Sequence, residues 1–162
     1  MLSLKTSNLS GSYNGLGRKI LFARQVKQEA TFHPEVRAFA EAAAGKGDRK
    51  TQAARIFNIV RDGVNYVPDP VGIEQTKAPW VMLEEIRERG YAAGDCDDQA
   101  TLSYVLLNSI GIPAKLRVTW TGRPDPQHIY VIARLDSTWA AFDTTRSFMG
   151  QESPYTKVKD FA

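Results

Sequence analysis

A single cysteine in 162 residues cannot form an internal disulfide, so nothing in this chain marks an oxidising compartment. Two histidines and one cysteine are too few for the usual zinc ligand sets. No stretch approaches the ~18 consecutive apolar residues of a membrane span, and the opening MLSLKTSNLSGSYNGLGRK lacks the apolar centre of a secretory signal. The reading is therefore a cytoplasmic chain, not inserted in a membrane. Lysines and arginines are scattered, and a net charge of +3 is small, which argues against nucleic acid or a membrane surface as partner. Repeats and low-complexity tracts are missing too. What is present is the composition of an ordinary globular domain, 43% hydrophobic and 24% charged, long enough to bury a core without staples.

Polar composition and Gly11, Gly15 and Gly17 predict an extended arm over residues 1–30, with a short strand near Ile20–Arg24, leaving 31–162 as one domain. Pro34 opens a first helix that keeps Val36, Phe39, Ala40 and Ala43 in helical spacing up to Gly45. A second runs from about Asp48 to Gly63, with Ala53, Ile56, Phe57 and Val60 on one face. Three prolines and Gly72 make 66–80 a long ordered loop, and 81–89 a short helix ending at Gly90. From Gln99 to Ala114 no side chain is charged, which predicts a helix buried on most sides, with Cys96 at its start. Strands follow at Lys115–Thr121, His128–Leu135 and Thr138–Asp143. Helices first and strands afterwards mean α+β with an antiparallel sheet.

The stretch GDCDD, residues 94–98, carries the chemistry. At a helix N-terminus, unpaired amides and the helix dipole favour a thiolate, and the same amides, the cysteine's own included, can meet an oxyanion. A nucleophilic thiol needs an imidazole, and the choice lies between His33 and His128. His33 precedes Pro34 at the start of a helix, where capping or exposure explains it. His128 opens a strand, and a tight turn at Asp136–Ser137 would set Tyr130 opposite Asp143, putting Asp143 on the His128 face. Cys96, His128 and Asp143 then form a triad, with Tyr130 beside it and Asp95, Asp97 and Asp98 supporting the nucleophile. The three aspartates lack the spacing of a calcium loop, so no metal and no cofactor is expected. Asp97 and Asp98 are read on the first helical turn facing amide donors, Asp95 as a cap or loop brace, and none of them as needing to touch the sulfur.

YVPDP at 66–70, APW at 78–80, GDCDDQA at 94–100, LLNSIGIPA at 106–114, HIYVIARL at 128–135 and WAAFD at 139–143 together resemble the transglutaminase-like superfamily, in its small bacterial and phage branch of cysteine-peptidase-like members. The resemblance implies a papain-like core, a buried helix carrying the cysteine against an antiparallel sheet. It implies Cys96 as nucleophile, His128 as base and Asp143 as the residue orienting it. Many members also place a side chain upstream of the cysteine in the oxyanion hole, for which Gln75 and Trp80 are the candidates. The arm has no counterpart in the motif pattern.

The leading expectation is a thiol-dependent amide hydrolase, or an acyltransferase, working on a peptide or protein through a thioester. The rival is a catalytically silent member serving in an assembly such as a phage particle, where the protein would be virion-associated and the arm would dock on a neighbour. An arylamine-type acyltransferase also uses Cys, His and Asp, but would need a longer chain to hold its acyl donor.

Overall fold

A computed structural model describes residues 6–9, 13–69 and 74–162. Five α-helices precede the last four strands: α1 (Tyr13–Glu29), α2 (Pro34–Ala44), α3 (Arg49–Gly63), α4 (Pro79–Arg89) and α5 (Cys96–Ser109). Helix α5 is the centre of the molecule. From Asp97 to Leu107 every one of its residues is buried, as expected of a helix with no charge beyond its first turn. Helices α1, α2, α3 and α4 pack around it on one side, and a sheet covers the other.

That sheet has the order β7-β6-β5-β8, all antiparallel, built from β5 (Ala114–Trp120), β6 (His128–Arg134), β7 (Trp139–Phe142) and β8 (Lys157–Phe161). Its inner face carries Leu116, Val118, Ile129 and Val131, all buried, and Phe142 meets Phe57 of α3 edge to face at 5.2 Å. Arg134 pairs with Trp139 and Val131 with Phe142. This is the register expected from a tight turn at Asp136–Ser137, and it brings Asp143, the first residue beyond β7, to the His128 side. Two small sheets flank the N-terminus of α5: β2 (Val64–Tyr66) runs parallel to β4 (Ala92–Gly94), and β1 (Thr6–Leu9) pairs antiparallel with β3 (Glu74–Lys77).

Two expectations are corrected. Among its described residues the arm is extended only at Thr6–Leu9, and the strand expected near Ile20–Arg24 is helical. Residues 13–29 form α1, because Ile20, Ala23 and Val26 return at helical spacing and are buried in the same core as α5. That burial outweighs the ~1 kcal/mol each glycine costs a helix. Residues 1–5 and 10–12 of the expected arm lie outside the described residues. The 66–80 loop likewise contains a strand, Glu74–Lys77, whose partner β1 lies far away in sequence, while residues 70–73 of that loop lie outside the described residues. Among the described residues no helix is long and apolar enough to cross a membrane.

Candidate active site

Each residue of GDCDD does separate work. Asp95 is the N-cap of α5 and accepts from the Asp97 and Asp98 amides at 3.1 and 3.4 Å. Asp98 completes a capping box, accepting from the Asp95 amide at 3.0 Å, and its other oxygen accepts from the Lys77 amide of β3 at 2.7 Å. Gly94 leaves room for that carboxylate: a Cβ there would sit 2.6 Å from the Asp98 Cβ. Cys96 is then the first residue of the helix, half-buried, and its own amide is not among those the cap takes up.

Asp97 departs from its expected place. Instead of facing only helix amides, its Oδ1 accepts from the Cys96 Sγ at 3.7 Å, and its Oδ2 meets Lys19 Nζ of α1 at 2.6 Å. Burial, then the charges of Asp97 and Asp95, push the Cys96 thiol well above the ordinary cysteine range, while the Ile129 amide and Lys19 pull it down. The resting thiol is therefore neutral. Burial and the neighbouring carboxylates also raise Asp95 to about 8, and burial raises Asp98 to about 6.

Across the cleft, His128 Nε2 lies 2.7 Å from Asp143 Oδ2. Asp143 is 1% exposed, and its second oxygen accepts from the Thr145 amide at 3.1 Å and the Thr145 hydroxyl at 2.7 Å. Burial would raise this carboxyl, but the hydrogen bond and charge of His128 and the two Thr145 bonds hold it below the ordinary carboxylate range. An ionised carboxylate can only accept, so Nε2 donates to Asp143 and Nδ1 is the ring nitrogen left outside that bond. Tyr130 lies 5.2 Å from the imidazole centre to centre, tied by its hydroxyl to Glu152 at 2.6 Å. Cys96 and His128 line one cleft of about 320 Å³ together with Leu16, Lys19, Asp95, Asp97, Val118 and the 125–129 segment.

Gln75 and Trp80 do not line this cleft. Gln75 is exposed on β3, its amide donating to Asp69 Oδ2 at 2.8 Å. Trp80 is buried and stacks on His33 at 4.0 Å, in a groove with Phe39 and Leu83. The structure thus accounts for His33 as an aromatic partner at the start of α2. Asp69, Asp95 and Asp97 bring carboxylate oxygens within 4.8 Å of one another. Each also meets a protein donor, Gln75 N, the helix amides and Lys19 respectively.

Reading the sequence missed four contributors. Lys19 and Leu16 come from α1, where the buried Ile20, Ala23 and Val26 were the available signal. Thr145 follows Asp143 by two, a spacing at which a hydroxyl folds back onto a carboxylate. Gln99, three residues beyond Cys96, accepts from the Thr144 hydroxyl at 2.7 Å with both residues buried, tying the cysteine helix to the segment that carries Asp143.

A model of the transglutaminase-like superfamily matches residues 37–144. No curated protein sequence matches the chain. Among solved structures the chain is similar to a candidate cysteine protease from Cytophaga hutchinsonii, with TM-score 0.55 and 21% identity over 71% of this chain and 38% of that one. It is also similar to a candidate protease from Parabacteroides distasonis, with TM-score 0.57 and 18% identity over 76% of this chain and 25% of that one. A third likeness is to EGTA-treated LapG of Legionella pneumophila, with TM-score 0.53 and 18% identity over 86% of this chain and 81% of that one. The first two proteins are much longer than this chain, and at these identities the likeness establishes the fold.

Proposed function

This chain belongs to the transglutaminase-like superfamily, and on that premise we propose that it is a thiol-dependent amide hydrolase acting on a peptide or protein. The observation that carries the reading is the 2.7 Å His128–Asp143 hydrogen bond, on one wall of a cleft that has Cys96 at a helix N-terminus on the other. Protease-named structural neighbours agree with it. Because the resting thiol is neutral, the proton leaves as the bond forms: Cys96 Sγ attacks the carbonyl carbon while His128 Nδ1 takes the thiol proton. The Cys96 amide at the helix start, which the Asp95 cap does not take up, receives the developing oxyanion. Collapse breaks the C–N bond, His128 returns the proton to the leaving amine, and a thioester on Cys96 remains. Water attacks the thioester carbonyl, His128 takes its proton and returns it to the sulfur, and acid and free thiol are released.

The test is iodoacetamide alkylation of Cys96 followed across pH. His128→Ala should slow alkylation at pH 7 tenfold or more while leaving the fold intact by circular dichroism. Equal profiles for the two proteins would remove His128 from the thiol's surroundings and leave the silent-scaffold reading standing.

A further inference from the structure

We propose that Lys19 is a positioning residue of the nucleophile: it neutralises Asp97, so that Asp97 can hold the Cys96 thiol in place without its charge opposing the loss of the thiol proton. The inference deepens the reading of Cys96 as nucleophile and rests on it.

Asp97 is the second residue of α5, in contact with the sulfur through one oxygen and with Lys19 through the other. The Asp97 side chain is 5% exposed and that of Lys19 18%, so water screens the pair poorly. A carboxylate in this place is useful as an acceptor for S–H, since it orients a side chain that would otherwise rotate. It is harmful as a bare charge, because sulfur must become negative or give up its proton during attack. A lysine on the far oxygen separates the two effects: the acceptor stays and the field is cancelled. Packing fixes where the ammonium sits. Leu16, one turn earlier, lines the same cleft, and Ile20, Ala23 and Val26 continue that face of α1 into the core. Helix α1, which supplies the cation, precedes the residues matched by the superfamily model.

Other titratable groups lie in or around this cleft. Asp95 lies on the same helix, Tyr66 and Asp69 on and after β2, His128 opposite on β6, and Asp125 on the cleft rim. Asp97 and Asp95 raise the thiol and Lys19 lowers it, in agreement with the geometry.

The experiment is the pH profile of Cys96 alkylation in the full chain for wild type, Lys19→Gln, Asp97→Asn and the double variant. The midpoint reports ionisation and the high-pH plateau reports access to the cleft. Lys19→Gln should move the midpoint up and slow alkylation at pH 7 roughly threefold to tenfold. Asp97→Asn should move the midpoint down, and the double variant should return to wild type or below it. Lys19→Arg should stay near wild type, which a loss of packing at this position would not produce. A midpoint unmoved by Lys19→Gln, or a double variant as slow as the single one, would overturn the proposal. If Lys19→Gln proves unfolded by circular dichroism, Asp97→Asn alone decides: a midpoint that does not fall sinks it. Failure here with a strong His128→Ala effect leaves the hydrolase reading intact, whereas a silent His128→Ala with a clear Lys19 effect overturns that reading and not this one.

Discussion

Replacing Asp143 by asparagine keeps the shape of the side chain and removes half of its accepting capacity. The carboxylate takes three hydrogen bonds, one from His128 on Oδ2 and two from Thr145 on Oδ1, in a place 1% exposed. A carboxamide has one oxygen. If that oxygen faces His128, the new NH₂ confronts the Thr145 amide donor. If it turns to Thr145, the NH₂ faces the imidazole, which can accept it only in the tautomer that protonates Nδ1 and so cannot take the thiol proton. The first arrangement leaves a buried donor unsatisfied at about 1–3 kcal/mol, and both lose a charge-assisted bond worth about 1.5–3 kcal/mol. A net loss near 2 kcal/mol corresponds to about thirtyfold in an equilibrium. Asp143→Asn should therefore lower urea-unfolding stability by about 2 kcal/mol and slow Cys96 alkylation at pH 7 by about 10- to 100-fold. Because Asp143 acts on the thiol only through His128, adding the change to His128→Ala should produce no further slowing. The pH dependence carries its own sign. A carboxyl held below its unfolded value stabilises the fold fully above pH ~4 and loses that contribution as pH falls through the folded value, so the stability gap between wild type and variant should close in acid. Alkylation within twofold of wild type, or additive slowing in the double variant, would refute the orienting role of Asp143.

Asp95 behaves in the opposite sense. Its folded value is raised to about 8, so the folded state keeps a proton that the unfolded chain has lost, and stability declines as pH rises from ~4 toward 8. Asp95→Asn retains an N-cap acceptor without the charge. It should melt above wild type at pH 8 and alongside it near pH 4, and equal melting at both pH values would count against the charge crowding. Thr144→Val strands the buried Gln99 oxygen and should cost about 1–3 kcal/mol in urea unfolding. An unchanged unfolding midpoint would show that the Gln99–Thr144 bond contributes nothing.

The parts of the fold that were legible are those governed by a local period. Helices α2 to α5 show apolar residues at turn spacing with proline or an acidic cap in front and glycine behind, and β5 to β7 show dense β-branched and aromatic runs. The His128–Asp143 contact was legible as well, since a two-residue turn and a strict alternation of faces leave little freedom. What escaped was set by partners distant in the chain. Helix α1 contains two glycines and is rescued by burial against α5, and β1 and β3 are short polar segments that make sense only against each other. Strand β8, KVKDF, is an exposed edge whose charges conceal its strand character, with Arg117 reaching Asp160 across the pair at 2.8 Å. The aspartates divide in the same way. Asp95 and Asp98 were readable because capping is local, whereas the direction of Asp97 depends on a lysine from a helix that had been read as an arm.

The close approach of Gly94 to Asp98 also limits how this motif can vary by descent. Asp98 needs the space that only a glycine leaves at 94, and its carboxylate in turn joins the cap of the cysteine helix to β3. Alanine at 94 would clash with the Asp98 Cβ itself, so no shorter residue at 98 except glycine would relieve it, and glycine there would surrender the cap and the β3 tie. Descent through single substitutions at either position therefore passes through loss.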